Sequence, residues 1–171
     1  SGSAYIFIRS GTRWSEQAKL TASDAAAEDY FGTSVSIDGD YAIVTANEDD
    51  DGGSNSGSAY IFIRSGTSWS QQAKLTASDA YTYDGFGITA SISGEYAVVG
   101  AFGNDDDGND SGSAYIFKRS GTSWSEQAKL TASDASEEDR FGESVAISGD
   151  YIIAAAAYDD DDGGSTGSAY I

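Results

Sequence analysis

The chain repeats itself every 55 residues, and that period limits its fold more than any single residue does. Ser1 to Ala25 (SGSAYIFIRSGTRWSEQAKLTASDA) returns at Ser56 to Ala80 and again at Ser111 to Ala135, and any two of these copies differ at only two positions. Gly2, Gly57, Gly112 and Gly167 each head a copy of G-S-A-Y-I. Self-similarity at a fixed period, rich in β-branched and aromatic residues, marks an array of like units that bury a core only by stacking. We read 1–171 as a single repeat domain with units 1–55, 56–110 and 111–165, and with 166–171 starting a further copy.

Each unit resolves into four short strands separated by Gly, Ser and Asp. Over Ser3 to Arg9, Ala4, Ile6 and Ile8 alternate with Tyr5, Phe7 and Arg9, the period of two that defines a strand. Ser10-Gly11-Thr12 turns the chain into Trp14 to Leu20, where Trp14, Ala18 and Leu20 are expected to share a face. A polar loop, Thr21 to Tyr30, leads to Phe31-Gly32. Ser34 to Ile37 and Tyr41 to Ala46 then flank Asp38-Gly39, a strong hairpin signal, with Ser93-Gly94 and Ser148-Gly149 in the same place. The expected fold class is all-β, with four-stranded antiparallel units that match β-propeller blades. About three blades are too few for a ring, which takes roughly four to eight. The expectation is therefore an open segment of a larger propeller, an oligomer or a fibre.

Charge and missing residue types narrow the function. The chain has no His, Cys, Met or Pro. Disulfides, thiolate nucleophiles, the usual histidine triads and zinc-thiolate sites are therefore excluded. Lacking an initiator Met, the sequence reads as a processed protein or an excerpt of a longer one. Acidic residues outnumber basic ones 28 to 9, giving a net charge of −19. Such a surface repels nucleic acid and anionic membranes, so neither is expected as a partner. The longest apolar run, Tyr151 to Tyr158, is too short to span a bilayer. The few cations recur at fixed places, Arg9, Arg64 and Arg119, then Lys19, Lys74 and Lys129, which predicts structural ion pairs or a solvated strand face.

The chain resembles the FG-GAP repeat, the blade unit of integrin α-subunit propellers and of many bacterial surface proteins. Phe31-Gly32, Phe86-Gly87 and Phe141-Gly142 carry the FG. The GAP survives only as Thr45-Ala46, Gly100-Ala101 and Ala155-Ala156, and Gly57 to Phe62 and Gly112 to Phe117 match the strand that follows it. The lead-in to FG is closest to the bacterial branch. The resemblance implies a propeller, an extracellular or cell-surface location and a structural or adhesive role. It does not carry over the integrin-type calcium loop, because the two-residue turn at Asp38-Gly39 stands where that loop would be.

Carboxylates cluster instead in two loops per unit. The loop before FG holds Asp24 and Asp29, Asp79 and Asp84, and Asp134 and Asp139. The loop after the GAP position holds Asp49 to Asp51, Asp105 to Asp107 and Asp159 to Asp162. Strand alternation places both loops on one rim of the blade. Asp oxygens and Gly-rich backbone suit calcium, which takes about six to eight oxygens in flexible geometry. The expected cofactor is one Ca2+ per unit, with Asp24, Asp29, Asp49, Asp51, Asp79, Asp84, Asp105, Asp107, Asp134, Asp139, Asp160 and Asp162 as candidate ligands. Solvated acidic turns are the alternative.

No enzyme is expected, since open Asp-Gly loops lack the low-dielectric pocket that holds a catalytic carboxyl protonated. Expected partners are other protein chains, or further copies of this one, meeting through open blade edges. An alternative is a lectin-like module that binds glycans through Trp14, Trp69 and Trp124, or through Tyr81, Tyr83 and Tyr158. A third is a subunit of a polymerising extracellular filament.

Overall fold

The computed structural model describes every residue of the chain except 161, 162 and 165. Among the described residues there are strands, turns and loops and no helix. β1 (Ala4–Ser10) and β2 (Arg13–Leu20) form a two-stranded sheet. A four-stranded sheet follows in chain order: β3 (Val35–Asp38), β4 (Tyr41–Ala46), β5 (Ser58–Ser65) and β6 (Ser68–Leu75). A second one contains β7 (Thr89–Ser93), β8 (Tyr96–Ala101), β9 (Ser113–Ser120) and β10 (Ser123–Leu130). β11 (Phe141–Ser148), β12 (Tyr151–Ala156) and β13 (Ser168–Tyr170) form a three-stranded sheet. Paired strands are antiparallel throughout, as in propeller blades. Each four-stranded blade straddles two sequence units, opened by one unit's FG and closed by the next unit's G-S-A-Y-I strand and its partner.

Two local expectations are corrected. The hairpin turn sits one residue later than Asp38-Gly39: Asp38 pairs with Tyr41, so the central residues are Gly39 and Asp40. Gly39 supplies the left-handed first position (φ 57°) that a two-residue II′ turn needs. The face assignment of the tryptophan also changes. Ile6 pairs with Ala18 but Phe7 pairs with Glu16, so Gln17 is an extra residue, a β-bulge. The bulge reverses the alternation and puts Trp14, opposite Arg9, on the face of Tyr5 and Phe7 rather than with Ala18 and Leu20. The bulge recurs in the β5–β6 and β9–β10 pairs.

Every blade therefore has two different apolar faces. One carries small and aliphatic residues, Ile43, Ala59, Ile61 and Leu75, and it packs on the aromatic face of the following blade, Phe86, Tyr115, Phe117 and Trp124. The same pairing joins Ala4 and Leu20 to Phe31, Tyr60 and Phe62, and Val98 and Ala114 to Phe141. The FG phenylalanine is the hub of each layer, edge-on to Tyr60, Tyr115 or Tyr170 with ring centroids 5.5 Å apart.

The innermost strands are joined by side chains. Ser34 and Ser36 accept hydrogen bonds from the backbone N–H groups of Ala90 and Ile92, and Asp38 accepts from Gly94. One blade on, Thr89, Ser91 and Ser93 accept from Val145, Ile147 and Gly149. Every rung spans i to i+56, so an unpaired strand edge in one blade is satisfied by hydroxyl or carboxylate oxygens of the blade before it. Ser36→Ala should orphan the Ile92 N–H and cost about 1 kcal/mol. The denaturation midpoint reads this out, and an unchanged midpoint would mean that water replaces the hydroxyl.

Candidate functional site

The strand order brings the two acidic loops of each unit to one rim. The loop after β4 and the loop before the next FG are stitched by backbone bonds, Tyr83 N–H to Ser54 O (2.8 Å), Gly85 N–H to Asn55 O (3.1 Å) and Phe86 N–H to Ser56 O (3.0 Å). The approach is close because of Gly57: a Cβ there would collide with the Phe86 carbonyl and lie 2.7 Å from its nitrogen. Gly2 and Gly112 stand in the same relation to Phe31 and Phe141. The glycine of G-S-A-Y-I is thus the point where backbone meets backbone.

Within that rim the carboxylates converge on lysine. Lys74 Nζ lies 2.5 Å from Asp51, 2.8 Å from Asp24 and 3.2 Å from Asp49. Asp49 is buried and also accepts from Ser58 (2.9 Å) and Tyr60 (3.0 Å). In the second unit Lys129 bonds Asp79 (2.7 Å) and Asp106, while Asn104 takes the place of Asp49 beside Ser113 and Tyr115. In the third, Tyr170 donates to Asp134 (2.7 Å) and Asp159 (2.8 Å). The expected ion-pair role of the recurrent lysines is borne out at Lys74 and Lys129. Burial works against the charged forms of Asp24 and Asp79. Hydrogen bonds from Lys74 and Tyr60, and from Lys129 and Tyr115, outweigh it and hold both carboxyls below their ordinary value. Burial likewise opposes the Lys74 ammonium, but Asp24 and Asp51 prevail and raise its pKa. The carboxyl contribution is therefore present above the ordinary Asp range and lost as pH falls through the depressed folded values.

Asp29, Asp84 and Asp139 have a different task. All three are buried, and each accepts a backbone N–H three residues back, from Ala26, Tyr81 and Ser136. They close the turn that aims FG into the core. Burial pushes the Asp84 carboxyl up despite that bond. The same turn forces non-glycine residues into the left-handed region, Glu28 (φ 70°), Tyr83 (φ 70°) and Glu138 (φ 69°). Tyr83→Gly should therefore raise stability by about 1 kcal/mol, visible as a higher melting temperature. A fall would show that the exposed ring makes contacts worth more than the strain.

The remaining expected ligands are peripheral. Asp105 accepts the Asp110 N–H (2.8 Å), as Asp50 accepts Asn55, and Asp107 and Asp160 are exposed. Asp162 lies outside the described residues. Position by position, Asp49, Asn104 and Asp159 correspond, as do Asp51 and Asp106, so Asp105, Asp107 and Asp160 are out of step with Asp49 and Asp51. Among the described residues no three acidic side chains are arranged to hold one metal ion. The donor set around Lys74 and Lys129 fits an ammonium.

The aromatic candidates separate cleanly. Trp69 and Trp124 are half-buried and donate their indole N–H to Gln17 and Gln72 of the preceding blade (3.0 Å each). Trp124 is also edge-on to Tyr41. Trp14, Tyr81, Tyr83 and Tyr158 are exposed, with Arg140 stacked over Tyr158.

A search of curated proteins returned no match. The family model for the FG-GAP repeat matches three consecutive stretches, 14–62, 69–117 and 124–171. Each begins at the tryptophan of one unit and runs through FG into the next G-S-A-Y-I. Those are the segments whose phenylalanine, glycine and tyrosine build each layer of the stack, and they take in most of the sequence. A β-propeller-like repeat module made of such segments, all-β and blade by blade, belongs to the FG-GAP repeat family.

Proposed function

We propose that this chain is a non-enzymatic scaffold segment of an extracellular or cell-surface protein, of the bacterial type, with a structural or adhesive role. The observation that carries this reading is the use of the rim carboxylates. Asp24, Asp49 and Asp51 are tied to a lysine, and Asp29, Asp84 and Asp139 to turn backbone, so these six acids brace strands and turns rather than face a substrate cavity. What the rim offers outward is a field of negative charge from Asp50, Asp105, Asp107 and Asp160, suited to a basic protein surface. Partners, further copies of the chain included, join through the open blade ends. Display of the chain on a cell surface tests the adhesive part. Asp50→Asn, Asp105→Asn and Asp107→Asn together should reduce retention on a basic protein-coated surface, and unchanged retention would remove the rim as contact face.

Calcium belongs to this reading as a ligand of the exposed loop carboxylates. The excess of 28 acidic over 9 basic residues supports it, as does the exposure of Asp105, Asp107 and Asp160. A ligand that binds only the folded state raises the melting temperature by mass action. Millimolar calcium should therefore raise it more than magnesium does at matched ionic strength. Equal responses would return these loops to solvated turns and leave the scaffold reading intact. Glycan binding is the second reading, favoured by the exposure of Tyr81 and Tyr83 on the same rim.

A further inference from the structure

Residues at the same repeat position have opposite environments along the stack. Phe62 and Phe117 are each 3 % exposed, but Phe7, at the same repeat position, is 54 % exposed. Ile43 and Val98 are fully buried, but Ile153 is 43 % exposed. Trp14 is 66 % exposed, and Gln127, the next acceptor after Gln17 and Gln72, is exposed too. Ser144 and Ser148, the next oxygens of the inner ladder, are exposed, as are Val35, Ile37 and Gly39, whose N–H groups hold the receiving positions. Two apolar grooves mark the same places. One, of about 350 Å³, includes Phe7, Val35, Ile37 and Val44; the other, of about 260 Å³, includes Tyr96, Ile116, Gln127 and Ile152.

We propose that these surfaces are two halves of one joint and that its occupant is a second copy of this chain: β1–β2 of one copy completes the β11–β12 sheet of the other. The proposal rests on the reading that partners meet at the open blade ends. Its register follows from the β4–β5 pair, in which Tyr41 faces Ile63 and Thr45 faces Ala59. Shifted by the repeat, Tyr151 faces Ile8 and Ala155 faces Ala4 of the second copy. β13 holds three of these positions, whereas β4 and β5 share six pairs. Gly167–Ile171 and Gly2–Ile6 have the same sequence, so the exchange replaces like with like and lengthens the ladder.

The buried contacts of the interior joints then have counterparts, save one rung of the inner ladder. Trp14 settles on Tyr96 and donates to Gln127, as Trp124 does to Tyr41 and Gln72. Tyr151 and Ile153 cover Val35 and Ile37, as Tyr41 and Ile43 cover Ala90 and Ile92. Ser144 and Ser148 take the N–H groups of Val35 and Gly39. Ala146 leaves the middle rung unmade, since it has no hydroxyl. Because the joint is apolar and each copy carries −19, added NaCl should tighten it by screening repulsion.

Sedimentation equilibrium of the full chain across salt concentrations tests this. The expected result is association that strengthens with NaCl and weakens about tenfold or more with Phe7→Glu or Ile153→Glu, both exposed in the single copy. The chain has no cysteine, so register can be read directly. Ala4→Cys mixed with Ala155→Cys should give the mixed disulfide on oxidation, and Ala4→Cys with Ile152→Cys should not. A single-copy mass at every salt concentration would overturn the proposal. So would association that survives both glutamates without the 4–155 cross-link. The triple Asn variant of the rim should associate at least as well as the parent, so failure of the joint and failure of the adhesive rim are separate results.

Discussion

Gly57→Ala is expected to unfold or nearly unfold the chain, at a cost of about 3 kcal/mol or more, near the top of the range for single substitutions. Two independent penalties add at this residue. Its φ of 87° lies where L-residues are strained, and the new methyl group would be driven into the Phe86 backbone. Backbone cannot rotate aside as a flexible side chain can, so the loop after β4 must lift off the FG turn. That movement would break the Ser56–Phe86 bond and tilt a phenylalanine at the centre of the core. Gly66 supplies the control. It has a similar φ of 64° in a hairpin turn, with nothing within 4 Å of where the methyl group would stand, so Gly66→Ala should cost only about 1 kcal/mol for the dihedral. Urea denaturation of the two variants reads out the difference, and equal costs would mean that close approach contributes nothing.

Lys74→Met is the second large effect, and its size is set by what is left behind. Asp49 is 4 % exposed and would be left with two hydroxyl donors and the Asp51 N–H but no cation. Stranding a buried charge in this way costs about 3 kcal/mol or more. Lys129→Met removes an equivalent lysine, but the buried position there is the neutral Asn104, and its acid partners Asp79 and Asp106 are substantially exposed. That change should cost about 1 kcal/mol, the scale of a surface pair. Asp49→Asn should recover most of the loss in Lys74→Met, because it rebuilds the arrangement that Lys129→Met leaves in the second unit. Equal costs at the two lysines would show that the buried Asp49 does not set the first unit apart from the second.

The strands, their order and the FG positions were legible because the period of two and the period of 55 reinforce each other over three copies. The tryptophan face was not. Gln17 looks like any other strand residue, and a bulge is set by pairing with a partner strand that local alternation does not reveal. The convergence of two acidic loops was legible from topology. The cation at their centre was less so, since Lys74 stands 50 residues after Asp24 and 23 after Asp51 and meets both only once the blade is built. Strict 55-residue alignment carries a signal that the candidate ligand set did not use: it places Asn104 with Asp49 and Asp106 with Asp51. The inner ladder also had a trace, the alternating Ser34, Ser36 and Asp38 and their counterparts Thr89, Ser91 and Ser93. Alternating hydroxyls on a short strand otherwise read as a solvated face, and only the stacking of blades gives them backbone partners.

The ladder from i to i+56 bears on how such a chain can lengthen or shorten across generations. A blade begins in one unit and ends in the next, so no boundary in the sequence is privileged. An in-frame tandem duplication of any 55-residue window adds one whole blade, wherever the breakpoints fall. Each side-chain oxygen again finds a donor 56 residues ahead, and each glycine again faces an FG carbonyl. Loss of one period is silent in the same way. Copy number is thus free to vary by recombination between near-identical stretches, while an insertion of any other length within an inner strand breaks the rungs on one side of the scar.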